Sequence, residues 1–171
     1  MSSVDTQWVE NMAEPRKTGL ITRRRMFFGG AAAVAAGFAI REYRLIPPAY
    51  AGGKLSVVQA HDKAARDDIV LIDIRRPDEW ARTGIGKGAH PIDMRREDFI
   101  AALRSVAGPD TDQPIALICA RGVRSANLSL QLTEAGFTNI IDVPGGMLGS
   151  RNATGWLDAD LPVLAFKENN G

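Results

Sequence analysis

The chain contains a single cysteine, Cys119, which opens the run Cys119-Ala120-Arg121-Gly122-Val123-Arg124-Ser125. The preceding Pro114-Ile115-Ala116-Leu117-Ile118 is a short apolar run, which predicts a buried strand. Ser125 to Ala135 carries Leu128, Leu132 and Ala135 at helical spacing, which predicts a helix. A thiol at that junction lies in a tight loop whose backbone amides lead into a helix amino terminus. Unpaired N–H groups and the positive end of the helix dipole stabilise an anion there. Arg121 and Arg124 add positive charge, and Gly122 permits the tight turn. These surroundings favour the thiolate, the nucleophilic form. Cys119 is therefore read as reactive, although a lone buried cysteine is more often a small core hydrophobe. A thiolate needs no separate general base. The two histidines are read as surface or packing residues: His61 as a solvated side chain of the first helix, His90 at the start of a strand. With one cysteine they do not make a zinc site, and no cofactor is expected.

The elements that position the loop follow from local pattern. Ser56 is a candidate cap for a helix over Val57 to Ala65. Ile69-Val70-Leu71-Ile72 predicts a buried strand, and Pro77 to Arg82 a short helix with proline in its first turn. Glu97 to Val106 is predicted as an amphipathic helix, with Phe99, Ile100, Leu103 and Val106 on one face. Ile140 to Val143 predicts another strand, closed by Pro144-Gly145-Gly146. Such alternation predicts an α/β domain with a central, mostly parallel sheet flanked by helices. Ligands of such sheets bind outside the carboxyl ends of strands, where Cys119 falls. Asp73 and Arg75 fall at the end of their strand near the same edge, and are read as an ion pair supporting the site. Glu79 is read as a partner for an arginine or a backbone amide. Trp80 and Trp156 are read as packing.

The first fifty residues have a different character. Arg23-Arg24-Arg25-Met26-Phe27-Phe28 precedes an alanine- and glycine-rich apolar stretch from Gly29 to Ile40, then Arg41, Arg44 and an Ala49-Tyr50-Ala51 site. A basic region, an apolar stretch and an A-x-A site predict a signal peptide over residues 1–51, cleaved after Ala51. Arg24-Arg25 ahead of Phe27-Phe28 resembles the twin-arginine export signal. The implied partner is an export machinery and the implied location the periplasm. The alternative is an uncleaved signal that anchors the domain to the inner membrane, although Met26 to Ile40 is short for a span. Residues 52–171 then form one domain with 14 basic and 16 acidic residues, against +1 for the whole chain. Without a basic run, this composition gives no support for nucleic-acid binding. In an oxidising compartment, where thiols tend to be paired, a catalytic role accounts for an unpaired one.

Cys-x-x-Gly-x-Arg-Ser resembles the active-site loop of the rhodanese family of sulfurtransferases. Leu71-Ile72-Asp73-Ile74-Arg75 with Glu79-Trp80 is similar to that family's strand-Asp-x-Arg segment and its Glu-aromatic pair. Gly84 to Ala89, Val143 to Met147, Gly155-Trp156 and Leu161-Pro162-Val163 resemble further family segments, so the likeness runs from about Leu55 to Val163. No histidine precedes Ile85, and Leu148 to Thr154 lengthens the interval before Trp156. The resemblance implies a single rhodanese-like domain that moves sulfane sulfur through a Cys119 persulfide. The donor would be a small molecule such as thiosulfate, and the acceptor cyanide, a small thiol or another exported protein. It assigns Arg121, Gly122, Val123, Arg124 and Ser125 to substrate binding, with an arginine fork gripping the donor's anionic end. Two alternatives stay open: a non-enzymatic persulfide carrier, and a phosphatase or arsenate reductase. The latter have five residues between cysteine and arginine in related folds; only four separate Cys119 from Arg124. Oligomeric state is not readable from the sequence.

Overall fold

The structure is a computed structural model and describes Gly37 and residues 46–167. The arginine triplet, the apolar stretch, Arg41 and Arg44 lie outside these residues, apart from Gly37. The compact unit that carries the thiol spans Glu42–Gly171.

Seven strands and four helices are formed among the described residues. The strands are β1 (Gly53–Lys54), β2 (Val70–Asp73), β3 (Ile85–Gly86), β4 (Ala89–Pro91), β5 (Ile115–Ile118), β6 (Ile140–Val143) and β7 (Val163–Leu164). The helices are α1 (Val57–Ala65), α2 (Pro77–Thr83), α3 (Phe99–Ala107) and α4 (Val123–Glu134). The main sheet has the order β1-β6-β5-β2-β4, and every neighbouring pair is parallel. Strands β3 and β7 form a separate antiparallel pair. The chain fills β2 and β4 on one side of β5 before it reaches β5 and then crosses to β6. The carboxyl end of β5 is thus where the strand order reverses, the usual binding crevice of an open parallel sheet.

All four residues of β5 are fully buried because helices cover both faces of the sheet. Ile115 and Leu117 join Ile72, Phe99, Leu103, Leu128 and Leu132 on one face. Ala116 and Ile118 join Leu71, Val57, Val143, Met147 and Trp156 on the other. Each fully buried Ile or Leu contributes about 1.5–3 kcal/mol, so the strand that ends at the thiol is firmly seated. Local chemistry sets the helix starts. Ser56 caps α1 through a reciprocal box with Gln59, and Pro77 occupies the first turn of α2.

Some expectations are corrected. The core face of α3 is Phe99 and Leu103, four residues apart, whereas Ile100 and Val106 are 40% and 37% exposed. His61 is half-buried, with its ring edge-on to Trp156 at 5.6 Å between centroids. The expected solvated side chain instead covers an indole that lies in the core. Tyr50 lies on the leader side of the expected cleavage point. It is buried, and its hydroxyl donates to the Ile140 carbonyl at 2.5 Å. Cleavage after Ala51 would strip that ring from the edge of β6. A protein beginning at Gly52 is therefore expected to unfold at lower urea than one beginning at Ile46. The expected loss is about 3 kcal/mol, the range for deleting a buried aromatic. Equal midpoints would show that Tyr50 carries no stability.

Candidate active site

Cys119 follows β5 directly and is 1% exposed. Its Sγ accepts the Gly122 backbone N–H at 3.2 Å, so the chain curls back on the sulfur within three residues. Gly122 has φ +84°, and a Cβ there would lie 2.3 Å from the Pro144 carbonyl oxygen. Glycine is needed twice over, for the left-handed backbone and for room. From Gly122 the chain enters α4, whose first-turn amides and dipole face the loop.

A second turn braces the first from the end of β6. Met147 N–H donates to the Cys119 carbonyl at 2.8 Å, and Leu148 N–H to the Ala120 carbonyl at 2.9 Å. Gly146, at φ +61°, allows this approach, because a Cβ there would meet the Ala120 and Cys119 oxygens at 2.6 and 2.7 Å. Both carbonyls at the start of the cysteine loop are thereby turned towards protein donors.

The arginines are used unequally. Arg124, expected to grip the donor's anionic end, sends both terminal nitrogens to Glu79, at 2.8 and 2.7 Å. Burial pushes the Glu79 carboxyl up, but hydrogen bonds from Arg124 and from the Arg76 amide outweigh it and hold it below the usual glutamate range. The same ion pair raises Arg124, against partial burial and with a further contribution from Cys119. Arg121 makes one long contact, 3.5 Å from Nη1 to the Gly149 carbonyl, and is exposed at the mouth of the loop. Val123 begins α4 and is half-buried, whereas Ser125 is fully buried and donates to the Gly122 carbonyl at 3.2 Å. Behind Ser125 lies Asp142 of β6, 2% exposed. Burial pushes its carboxyl up, with Ser125 and Lys54 pulling it the other way.

Asp73 and Arg75 form a buried salt bridge at 2.7 Å. The guanidinium also donates to the Glu79 and Gly84 carbonyls and to the Thr83 hydroxyl. It therefore ties the end of β2 to the carboxyl end of α2 and fixes the helix that presents Glu79 to Arg124. His90 is exposed on β4. The Glu79–Arg124 pair was not readable as a pair, because nothing local signals a contact 45 residues apart.

The depressed Glu79 fixes the sign of one pH effect. A carboxylate lowered on folding stabilises above its unfolded value of about 4.3, and that contribution is lost as pH falls through the folded value. Glu79→Gln lacks it at every pH. The Tm difference between wild type and this variant is thus expected to shrink from pH 7 to pH 3. A constant difference would show that the pair does not titrate with folding.

The rhodanese-like domain family matches residues 56–153, and the chain belongs to that family. Among similar proteins is a thiosulfate sulfurtransferase, GlpE, of Glaesserella parasuis serovar 5, 28% identical over 105 residues. That match covers 61% of this chain and 86% of the relative. A tRNA uridine(34) hydroxylase of Acinetobacter baumannii is 31% identical over 100 residues, 57% of this chain; the chain spans only 31% of the hydroxylase's length. Among solved structures, the polysulfide-sulfur transferase homodimer of Wolinella succinogenes is similar at 26% identity and a TM-score of 0.52. It covers 82% of this chain and 93% of its own.

Proposed function

We propose that the protein is a sulfurtransferase that carries sulfane sulfur on Cys119. One observation carries the reading: the thiol ends a buried strand inside a loop whose Gly122 amide donates to Sγ and whose continuation is a helix amino terminus. Such a loop stabilises an anion on sulfur, both in the attacking thiolate and in the persulfide anion that follows. Two similar proteins named for transfer of sulfur, from thiosulfate and from polysulfide, support a sulfane-sulfur donor of that kind.

The step balances without an external oxidant. The Cys119 thiolate attacks the outer sulfur of thiosulfate; the sulfur–sulfur bond of the donor breaks, and its electron pair leaves with sulfite. A polysulfide reacts in the same way and leaves one sulfur shorter. The persulfide anion then occupies the loop until an acceptor takes its outer sulfur. With Arg124 held by Glu79, the arginine placed to meet an incoming anion is Arg121.

Mass spectrometry of the protein after incubation with thiosulfate, followed by turnover with cyanide, tests the reading. A gain of one sulfur atom and catalytic thiocyanate formation are expected. No mass gain with either donor would overturn it, and transfer that stops at one equivalent would make the protein a carrier.

A further inference from the structure

Three polar side chains are buried between α4 and the sheet, in a layer that is otherwise apolar. Ile140 of β6 packs with Leu128 and Leu132 of α4. Side chains alternate along a strand, so Asp142 falls on the same face as Ile140. Helical spacing puts Ser125 and Ser129 on the stripe of α4 that carries Leu128 and Leu132. Asp142 is 2% exposed and both serines are fully buried. Asp142 Oδ1 and Ser129 Oγ find no hydrogen-bond partner among the described residues. Burying such groups destabilises a fold, so stability does not account for an acid at this place.

The acid reaches the thiol through two residues. Ser125 Oγ lies within hydrogen-bonding reach of the Asp142 carboxyl and donates to the Gly122 carbonyl at 3.2 Å. Gly122 N–H in turn donates to Cys119 Sγ, also at 3.2 Å. Gly122 is thus held from both sides in its left-handed turn, by the sulfur at its N–H and by Ser125 at its carbonyl. A serine hydroxyl has one proton to give. A protonated Asp142 donates to Ser125 Oγ and leaves the serine proton on the Gly122 carbonyl, whereas an ionised Asp142 draws that proton to itself.

Resting on the sulfur-transfer reading above, we propose that Asp142 is a positioning residue for that reaction: through the Ser125 hydroxyl it fixes Gly122 and so keeps the loop amide on the Cys119 sulfur. Burial favours its protonated form, and Lys54, its register partner on β1, favours the ionised one. Arg151 lines the same surface recess as Asp142 and Lys54. On α4, Arg124 is taken up by Glu79, and β5 carries no charged side chain. As pH rises through the Asp142 value, its proton leaves to water and Ser125 turns to the carboxylate. The hold on Gly122 then loosens.

The test uses the full chain. The rate of sulfur loading from thiosulfate is measured from about pH 5 to about pH 8, above the ordinary aspartate value of about 3.9. Each rate is divided by the thiolate fraction read from ultraviolet absorbance. The wild-type quotient is expected to fall about fivefold across that range, the scale of one hydrogen bond. Asp142→Asn, neutral at every pH and still a donor to Ser125, should hold the low-pH quotient throughout. Ser125→Ala should give the high-pH quotient throughout, and adding Asp142→Asn to it should change nothing further. A wild-type quotient that does not vary with pH, matching profiles in wild type and Asp142→Asn, or an Asp142→Asn effect that survives in the double variant would overturn the positioning role while leaving sulfur transfer intact. Failure of wild type to load sulfur would overturn the sulfur-transfer reading. Alkylation by iodoacetamide, which uses the thiolate without moving sulfur, would then decide the role of Asp142 by the same comparison.

Discussion

Cys119→Ser is expected to abolish sulfur transfer while leaving the fold unchanged. Serine differs from cysteine by one atom in a site that is 1% exposed, and it can accept the Gly122 amide in the same place. What it cannot do is the chemistry. A hydroxyl is not ionised near neutral pH, is a weak nucleophile towards sulfur, and gives no sulfur–sulfur bond in which to store the transferred atom. No histidine stands by to activate it, since His61 packs on Trp156 and His90 is exposed on β4. Loss of a nucleophile with no substitute costs about 10⁴-fold or more. The measurements are thiocyanate formation, protein mass after thiosulfate, and near-ultraviolet circular dichroism as a check on the fold. A variant within tenfold of wild type would remove Cys119 from the mechanism, and with it the proposed function.

The cysteine loop was legible in the sequence because everything that builds it is local. Ile115 to Ile118 is apolar on both faces, as a central parallel strand must be. Gly122 permits a tight turn, and Leu128 and Leu132 mark the buried side of the helix that follows. Ser56 showed the start of α1 for the same reason: a cap and its partner Gln59 lie within one turn. Strands β1, β3 and β7, of two residues each, carry no period that could be counted. They form because longer strands and Trp156 bring a partner edge to them.

Charge was legible in kind, and in pairing only where the partners lie close in sequence, as Asp73 and Arg75 do. The resemblance to the rhodanese loop assigns both loop arginines to the substrate. The structure separates them, because α2 swings Glu79 onto Arg124 and leaves Arg121 outermost. That distinction depends on how β2 and α2 sit against α4, which no window of sequence contains. The hairpin at Leu148 to Thr154 was visible only as an excess of residues. Its closeness to the cysteine loop comes from the Met147 and Leu148 amides, and these are placed by the glycine approach at Gly146.

Asp73→Ala is expected to cost about 3–5 kcal/mol of stability, the range for breaking a buried ion pair from one side. Arg75 is 1% exposed, and all five of its guanidinium N–H groups find an acceptor: Asp73 at Nε and Nη2, the Glu79 carbonyl and Thr83 hydroxyl at Nη1, and the Gly84 carbonyl at Nη2. Alanine would leave that charge buried with neutral acceptors alone. A cost of this size consumes a large part of the roughly 5–15 kcal/mol that holds a domain together. The double variant Asp73→Leu/Arg75→Met removes both charges and should be less destabilised than the single one, because no charge is then stranded. Lysine at Arg75 should rescue little, since three donors on one nitrogen cannot reach acceptors arranged around a planar fork. Urea midpoints of the single and double variants decide the matter. A single-variant loss below about 1 kcal/mol, the scale of a surface pair, would mean that water or a local shift reaches Arg75. The bracing of α2, and through it of Glu79 and Arg124, would then come from packing and not from this pair.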